Sequence, residues 1–181
     1  MYNRLLRIYK NASHMRTLIS ELLDFRKQEQ GYLKLKVECR DIVAFTKEVY
    51  MSFYEYALKH HIAYRFETSE PSINLWFDPV QMQKVIINLL SNAFKYTPAE
   101  GNITVSIRMH SQQVLLQIKD SGTGIPQESI HKIFDQFYQI DGQRSNLSLG
   151  TGIGLTLSKN IVELHQGNIR VESKVDEGSC F

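Results

Sequence analysis

Three clusters along the chain hold residue types that could do chemistry. The first is NLLSNAFKYT, residues 88–97. Asn88 and Asn92 are four apart, so on a helix their amides share one face. An amide buried without a partner is costly. Its carbonyl is a hard oxygen able to ligate Mg²⁺, and Lys95 close by offers a point charge for phosphate. The two amides could equally bond to backbone or to each other. The second cluster is DSGTG, residues 120–124, directly after a strand-like run. Gly122 and Gly124 permit unusual backbone angles and the close approach of a flat ligand. Asp120 could accept a hydrogen bond from an exocyclic amine such as adenine carries, although alone the stretch reads as a turn. The third is GTGIGL, residues 150–155, where a loop becomes a helix. Backbone N–H groups unshielded by side chains form an anion site at a helix start. The spacing is not the dinucleotide fingerprint, which would need glycine at Leu155, and no Gly-Lys-Ser/Thr follows as in a P-loop. Read alone, it fits an anion site and a purely structural helix start equally well.

The elements that must position these clusters follow from pattern. Asp78-Pro79 opens a helix, with Asp as cap and Pro at the first helical position. That helix carries Val80, Val85, Ile86, Leu89, Leu90 and Ala93 and ends before Pro98. NITVSIRMH and QVLLQIKD read as two strands joined tightly through SQQ, and they deliver Asp120. PQESIHKIFDQF predicts a helix, the polar YQIDGQRSNLSL a loop, GIGLTLSKNIVELH another helix and NIRVES the last strand, with EGSCF beginning one more that is cut short at Phe181. Earlier, YLKLKVE alternates like a short strand, and Asp41 caps a helix to about Leu58. IAYRFE and INLWF are strand-like runs separated by TSEPS. The class is α+β, with helices on one face of a sheet.

Ahead of this lies a different pattern. Leu5, Ile8, Ala12, Met15, Ile19 and Leu22 alternate spacings of three and four, the seam of a coiled coil. The helix would be roughly 35–40 Å long at 1.5 Å per residue and end before Gly31. Alone in water it is marginal, so it needs a partner or must fold back onto the domain behind it. His14 falls on its solvent side.

Composition narrows the classes. The 181 residues carry a net charge of +2 with both signs interspersed, so no nucleic-acid footprint stands out. Cys39 and Cys180 have no metal-like spacing, which favours free thiols and a cytoplasmic setting. No apolar run approaches the ~18–20 residues of a membrane span, and no signal peptide is visible, so this fragment itself has no direct membrane contact. His60, His61, His131 and His165 lack companions at ligand spacing, and no zinc site is supported. Trp76 and the tyrosines of residues 50–56 read as core.

Taken in order, Asn-x-x-x-Asn, D-x-G-x-G, IFDQFYQ and G-x-G-x-G-L resemble the ATP-binding domain of sensor histidine kinases, whose fold is shared with gyrase-type, Hsp90-type and MutL-type ATPases. The resemblance covers about residues 41–181. It implies a two-layer α/β sandwich, preceded by one long coiled-coil-like helix from a dimerisation hairpin. ATP and Mg²⁺ are the implied cofactors, and Asn92 matches the metal ligand. Asn88 and Lys95 match phosphate-side residues that share the catalytic role with Asn92, and Tyr96 a position near the adenine. Asp120 matches the carboxylate that recognises the adenine amine, in a wall shaped by Gly122, Gly124 and Ile125. Phe134 and Phe137 match the aromatic box at one end of an ATP lid spanning roughly 138–149. Gly150, Thr151, Gly152, Ile153, Gly154 and Leu155 match the glycine box at its other end, and Arg144 within the lid is a candidate γ-phosphate contact. LLDFRK and WFDP are similar to the large hybrid sensor kinases, which implies an inner-membrane sensor parent with a receiver domain downstream.

Mechanism can also be discriminated. In the gyrase-type relatives a glutamate four before the metal-binding asparagine activates water; here that place is Asn88, whose amide cannot act as a base near neutral pH. The resemblance therefore implies transfer of the γ-phosphoryl to a protein histidine. SHMRTL looks like the phosphoacceptor box, but Met15 replaces its acidic residue, Leu18 its proline, and LLDFRK follows too soon. Residues 1–30 then read as the second hairpin helix, 31–40 as a linker strand and 41–181 as the ATP-binding domain, with the acceptor histidine upstream. The implied partners are that hairpin, in a homodimer, and a response-regulator receiver domain. The alternative is a non-catalytic module of the same fold that senses nucleotide or dimerises.

Overall fold

The computed structural model describes residues 33–140 and 152–181, together with Tyr9, Ala12, Met15, Arg16, Ile19, Leu22, Leu23, Arg26 and Gln30 before them. In chain order the elements are β1 Glu38–Asp41, α1 Ile42–Met51, α2 Tyr54–Lys59, β2 Ala63–Thr68, β3 Asn74–Phe77, α3 Pro79–Tyr96, β4 Asn102–His110, β5 Gln113–Asp120, α4 Gly154–Leu164, β6 Glu172–Lys174 and β7 Gly178–Cys180.

The main sheet has the order β2-β4-β5-β7-β6, with β2 and β4 parallel and the other neighbours antiparallel. Alternation along β4 and β5 sends Ile103, Val105, Ile107 and Ile118 to one face, where all are buried. There they meet Ile86 and Leu90 of α3, Ile161 of α4, and Phe45 and Val49 of α1 in one continuous core. Each such side chain contributes about 1.5–3 kcal/mol by leaving water. The opposite face carries Glu67, Arg108, Gln117 and Lys119, so this is an α+β sandwich of two layers, as the sequence pattern predicts. The same alternation turns Asp120, two residues after Ile118, toward the helical layer. A separate ribbon pairs β1 with β3, joining Glu38 to Phe77 and Cys39 to Trp76.

Several expectations give way. The apolar spacing of residues 126–137 does not yield a helix: the segment is a run of turns, with Ser129, Lys132 and Asp135 N–H groups bonded three residues back. Helix formation after Asp41 stops at Met51 rather than Leu58, because the Ser52 hydroxyl bonds back to the Val49 carbonyl at 2.6 Å. Residues 33–37 are not strand, and pairing starts at Glu38. Likewise the final strands begin at Glu172, not at Asn168, and β7 forms a ladder with β5 that continues to Phe181. Trp76 is not core: it is 69% exposed on the outer face of the ribbon beside Cys39, while Phe77 takes the inner place. Tyr50 is buried, whereas Tyr54 and Tyr56 are exposed. Neither His131 nor His165 lies within a helix; His131 is in the turns and His165 is the cap after α4.

The described positions of the leading segment from Tyr9 to Arg26 have helical backbone and are exposed, Met15, Ile19 and Leu22 of the seam included. Leu5, Ile8 and His14 lie outside the described residues, and so do residues 141–151.

Candidate functional site

α3 begins where the Asp78 Oδ1 accepts the N–H groups of Val80 and Gln81 at 3.0 and 3.1 Å, with Pro79 in the first turn. Its apolar stripe faces the sheet, which leaves Asn88 and Asn92 half-buried on its flank. α4 packs alongside it and antiparallel, since Gly154 at its start lies by Asn88 and His165 at its end lies by Asp78. A Cβ at Gly154 would stand 2.4 Å from the Asn88 Oδ1, so any larger residue there would displace the Asn88 amide. Asn88 donates from Nδ2 to the Ser158 Oγ at 2.9 Å. Asn88 therefore bonds a side chain on the neighbouring helix, rather than backbone or Asn92 as the sequence reading offered. Among the described residues none bonds the amide of Asn92. Lys95, one turn on, is exposed with its Nζ 4.9 Å from the Tyr96 ring centre.

The carboxylate wall is built across from the C-terminal end of α3. Asp120 is only 6% exposed and accepts the Gly122 N–H at 2.8 Å. Burial raises its pKa above the ordinary carboxylate value, and the N–H groups of Gly122 and Ser179 offset part of that rise. Thr123 donates its N–H to the Tyr96 carbonyl at 3.3 Å, and a Cβ at Gly122 would sit 2.5 Å from that same oxygen. The glycine thus holds the loop against the end of α3. Gly124 has φ +68°, and a Cβ there would meet the Lys174 carbonyl at 2.0 Å. The Asp176 N–H bonds the Thr123 carbonyl at 2.9 Å, and the Ile125 N–H bonds the Ser173 Oγ at 2.9 Å. Ser173 in turn donates to the Gly178 carbonyl. The β6–β7 hairpin is accordingly the backing of the Asp120 loop.

Two further ties join the glycine box to the aromatic segment. Phe137 donates its N–H to the Gly152 carbonyl at 2.9 Å, and both residues adopt positive φ, 60° and 69°. Thr156 donates its hydroxyl to the Phe134 carbonyl at 2.9 Å, and the Lys159 ammonium lies 5.9 Å from that ring. Phe137 itself is 62% exposed. Phe137 and Gly152, on either side of residues 141–151, therefore meet at one place. Arg144, Gly150 and Thr151 lie outside the described residues. Ile153 is buried at the N-cap of α4 with no side-chain cap, and Leu155 is half-buried in the first turn. No acidic residue stands in that first turn of α4, which favours an anion at the helix start.

The structure thus brings Asn88, Gly154 and Leu155 into one place, and the Asp120–Ile125 loop to the end of the same α3. Sequence reasoning missed Ser158, Ser173, Gly178, Ser179 and His165. Only Ser158 carried a signal, one turn after Gly154 on the same face.

Comparison with known proteins agrees with this geometry. The family described as histidine kinase-, DNA gyrase B-, and HSP90-like ATPase matches residues 77–181, more than half of the chain. Histidine kinase P4 of Formosa agariphila is 42% identical over the whole of this chain, which spans only 13% of that relative's length. The catalytic domain of histidine kinase ThkA superposes with a TM-score of 0.72 at 28% identity, covering 81% of this chain and 95% of that one. ThkA in complex with the response regulator TrrA superposes with a TM-score of 0.76 at 26% identity, over 96% of this chain and 47% of that one. With this architecture and these matches, the chain belongs to the histidine kinase-, DNA gyrase B- and HSP90-like ATPase family, on its histidine-kinase branch.

Proposed function

We propose that this chain is the catalytic ATP-binding module of a sensor histidine kinase, handing the γ-phosphoryl of ATP to a histidine that lies upstream of this sequence. The observation that carries the reading is the state of Asn88. It occupies the position from which a hydrolytic relative would activate water, yet it is an amide held by Ser158 and packed on Gly154. A group that cannot take a proton and is braced in this way supports a positioning role. Catalysis is then placement and charge neutralisation. Asp120 accepts the adenine amine, the Gly122–Ile125 loop forms the wall of that subsite, and Lys95 with the start of α4 faces the phosphates.

The donor set fits Mg²⁺. Asn92 is half-buried with a carbonyl oxygen that no described residue uses, and a single protein oxygen suits an ion that keeps water and phosphate oxygens as its other ligands. When bound, Mg²⁺ supplies neutralisation of the phosphate charge. Asn92 would hold it, and Asn88 would keep the neighbouring amide in place.

The same reading divides the chain into a hairpin helix at 1–30, a linker at 31–40 and the ATP-binding domain at 41–181. It makes the partners a phosphoacceptor hairpin in a homodimer and a receiver domain, in keeping with the regulator bound by ThkA. A hybrid parent held in the inner membrane, with this module in the cytoplasm, completes it. Among the described residues no helix is long and apolar enough to cross a membrane.

The test is transfer in trans. Incubated with γ-labelled ATP and Mg²⁺, the chain should label a separate hairpin bearing the acceptor histidine. Asn92→Ala should cut labelling by on the order of 100-fold. An unlabelled hairpin in the presence of bound ATP would overturn the reading.

A further inference from the structure

α3 and α4 carry the phosphate-facing groups, so the gap between them decides where those groups stand. Near the site they touch through Asn88, Gly154 and Ser158. A second contact pins them at the far end. The Asp78 N–H lies 2.9 Å from the His165 Nε2, and the His165 Nδ1 lies 2.8 Å from the Ile161 carbonyl. A backbone N–H can only donate, so Nε2 must be the bare nitrogen. The ring proton then sits on Nδ1 and is donated to the Ile161 carbonyl, which also accepts the backbone N–H of His165 at 3.2 Å. His165 is therefore neutral, and both of its nitrogens are used. Asp78 is itself a junction. Its Oδ1 caps α3, and its Oδ2 accepts the Lys36 N–H at 2.8 Å from the segment leading into β1.

Building on the nucleotide reading above, we propose that His165 is a positioning residue for phosphoryl transfer. By accepting the Asp78 N–H it pins the far end of α4 to the start of α3, and so sets how the N-terminus of α4 meets Asn88 and Asn92. The lever is short and stiff. α4 spans Gly154–Leu164, roughly 16 Å at 1.5 Å per residue, so a tilt of about 4° about one end moves the other by about 1 Å. A displacement of that size at reacting groups can cost on the order of 100-fold. The adenine wall is independent of this lever. Its loop is fixed by β6, β7 and the Tyr96 carbonyl rather than by α4. Loss of the His165 acceptor should thus weaken phosphate recognition and spare adenine.

The experiment compares the full chain with His165→Phe, which keeps a ring and loses the acceptor, and His165→Gln, whose Oε1 can stand where Nε2 does. Affinities for Mg-ATP and for adenosine are measured by titration calorimetry. His165→Phe should weaken ATP by on the order of 10- to 100-fold and leave adenosine within about 2-fold, while His165→Gln restores ATP binding. ATP affinity unchanged in His165→Phe, or equal losses for ATP and adenosine, would overturn the proposal. Long-range ¹⁵N–¹H correlation on the unmodified chain decides independently of any variant's folding: His165 should show a bare Nε2 and a protonated Nδ1. A proton on Nε2 would sink it. If the unmodified chain binds neither ligand, the nucleotide reading itself fails, which separates that failure from failure of the His165 role.

Discussion

Asp120 is a carboxylate that the fold pays to keep ionised. Burial raises its pKa above 3.8, and the N–H groups of Gly122 and Ser179 only partly restore it. Because the folded pKa is the higher one, folding favours the protonated form, and the folded state loses stability as pH rises from 3.8 through the folded value. Under the proposed function, adenine recognition needs the opposite state, since only the carboxylate is purely an acceptor. Affinity for adenosine should therefore fall as pH drops through the raised pKa, at a pH above that expected for an ordinary aspartate. Asp120→Asn should abolish this pH dependence and weaken binding by about 10-fold or more, the worth of a charged hydrogen bond. Calorimetry across an acid pH series reads both. The Asp41 cap runs the other way. Burial raises its pKa, but the N–H of Ile73, the Ser72 hydroxyl and the N–H groups of Val43 and Ala44 outweigh burial and leave it lowered. Its contribution is present above 3.8 and is lost as pH falls through the folded value.

Between elements, the decisive joints are glycines set against backbone. Gly124 carries φ +68° and faces the Lys174 carbonyl, so the Asp120 loop and the β6–β7 hairpin hold each other. In Gly124→Ala the new methyl must push that carbonyl away, in a conformation that alanine disfavours. The expected cost is about 1–3 kcal/mol in chemical denaturation, with weaker adenosine binding because the loop moves. The run of turns at 127–137 is a second joint. Phe137 must take a positive φ to bond Gly152, and a continuous α-helix through it could not. The two ends of the stretch between Phe137 and Gly152 are thus joined by a segment of turns rather than of continuous helix.

At the scale of the whole molecule, two layers share one core and the site lies where α3, α4 and the β5 end converge. The described apolar residues of the leading segment, Met15, Ile19, Leu22 and Leu23, face solvent. Under the proposed function this stripe pairs with a second copy of the chain, which satisfies the seam pattern. Sedimentation should show concentration-dependent dimers, and Ile19→Glu with Leu22→Glu should shift them to monomers without lowering the melting temperature of the ATP-binding domain. An unchanged distribution would count against dimerisation through this segment.

What the sequence determined by itself was local. Asp78-Pro79 dictates where α3 starts, its apolar stripe dictates which flank carries Asn88 and Asn92, and the β5 alternation dictates that Asp120 points inward. Each depends on neighbours a turn or a pleat away. Tertiary structure decided what depends on partners far along the chain. Alternation in INLWF marks a strand but not which face is covered, so Trp76 went outward and Phe77 inward once β1 rather than the main sheet became the partner. The turns at 127–137 answer to Gly152, and the roles of Ser158, Ser173 and His165 exist only because α3 meets α4 and the last hairpin meets the Asp120 loop. Periodicity records which face of a segment is apolar; a hydrogen bond across 87 residues, such as that between Asp78 and His165, leaves no period to read.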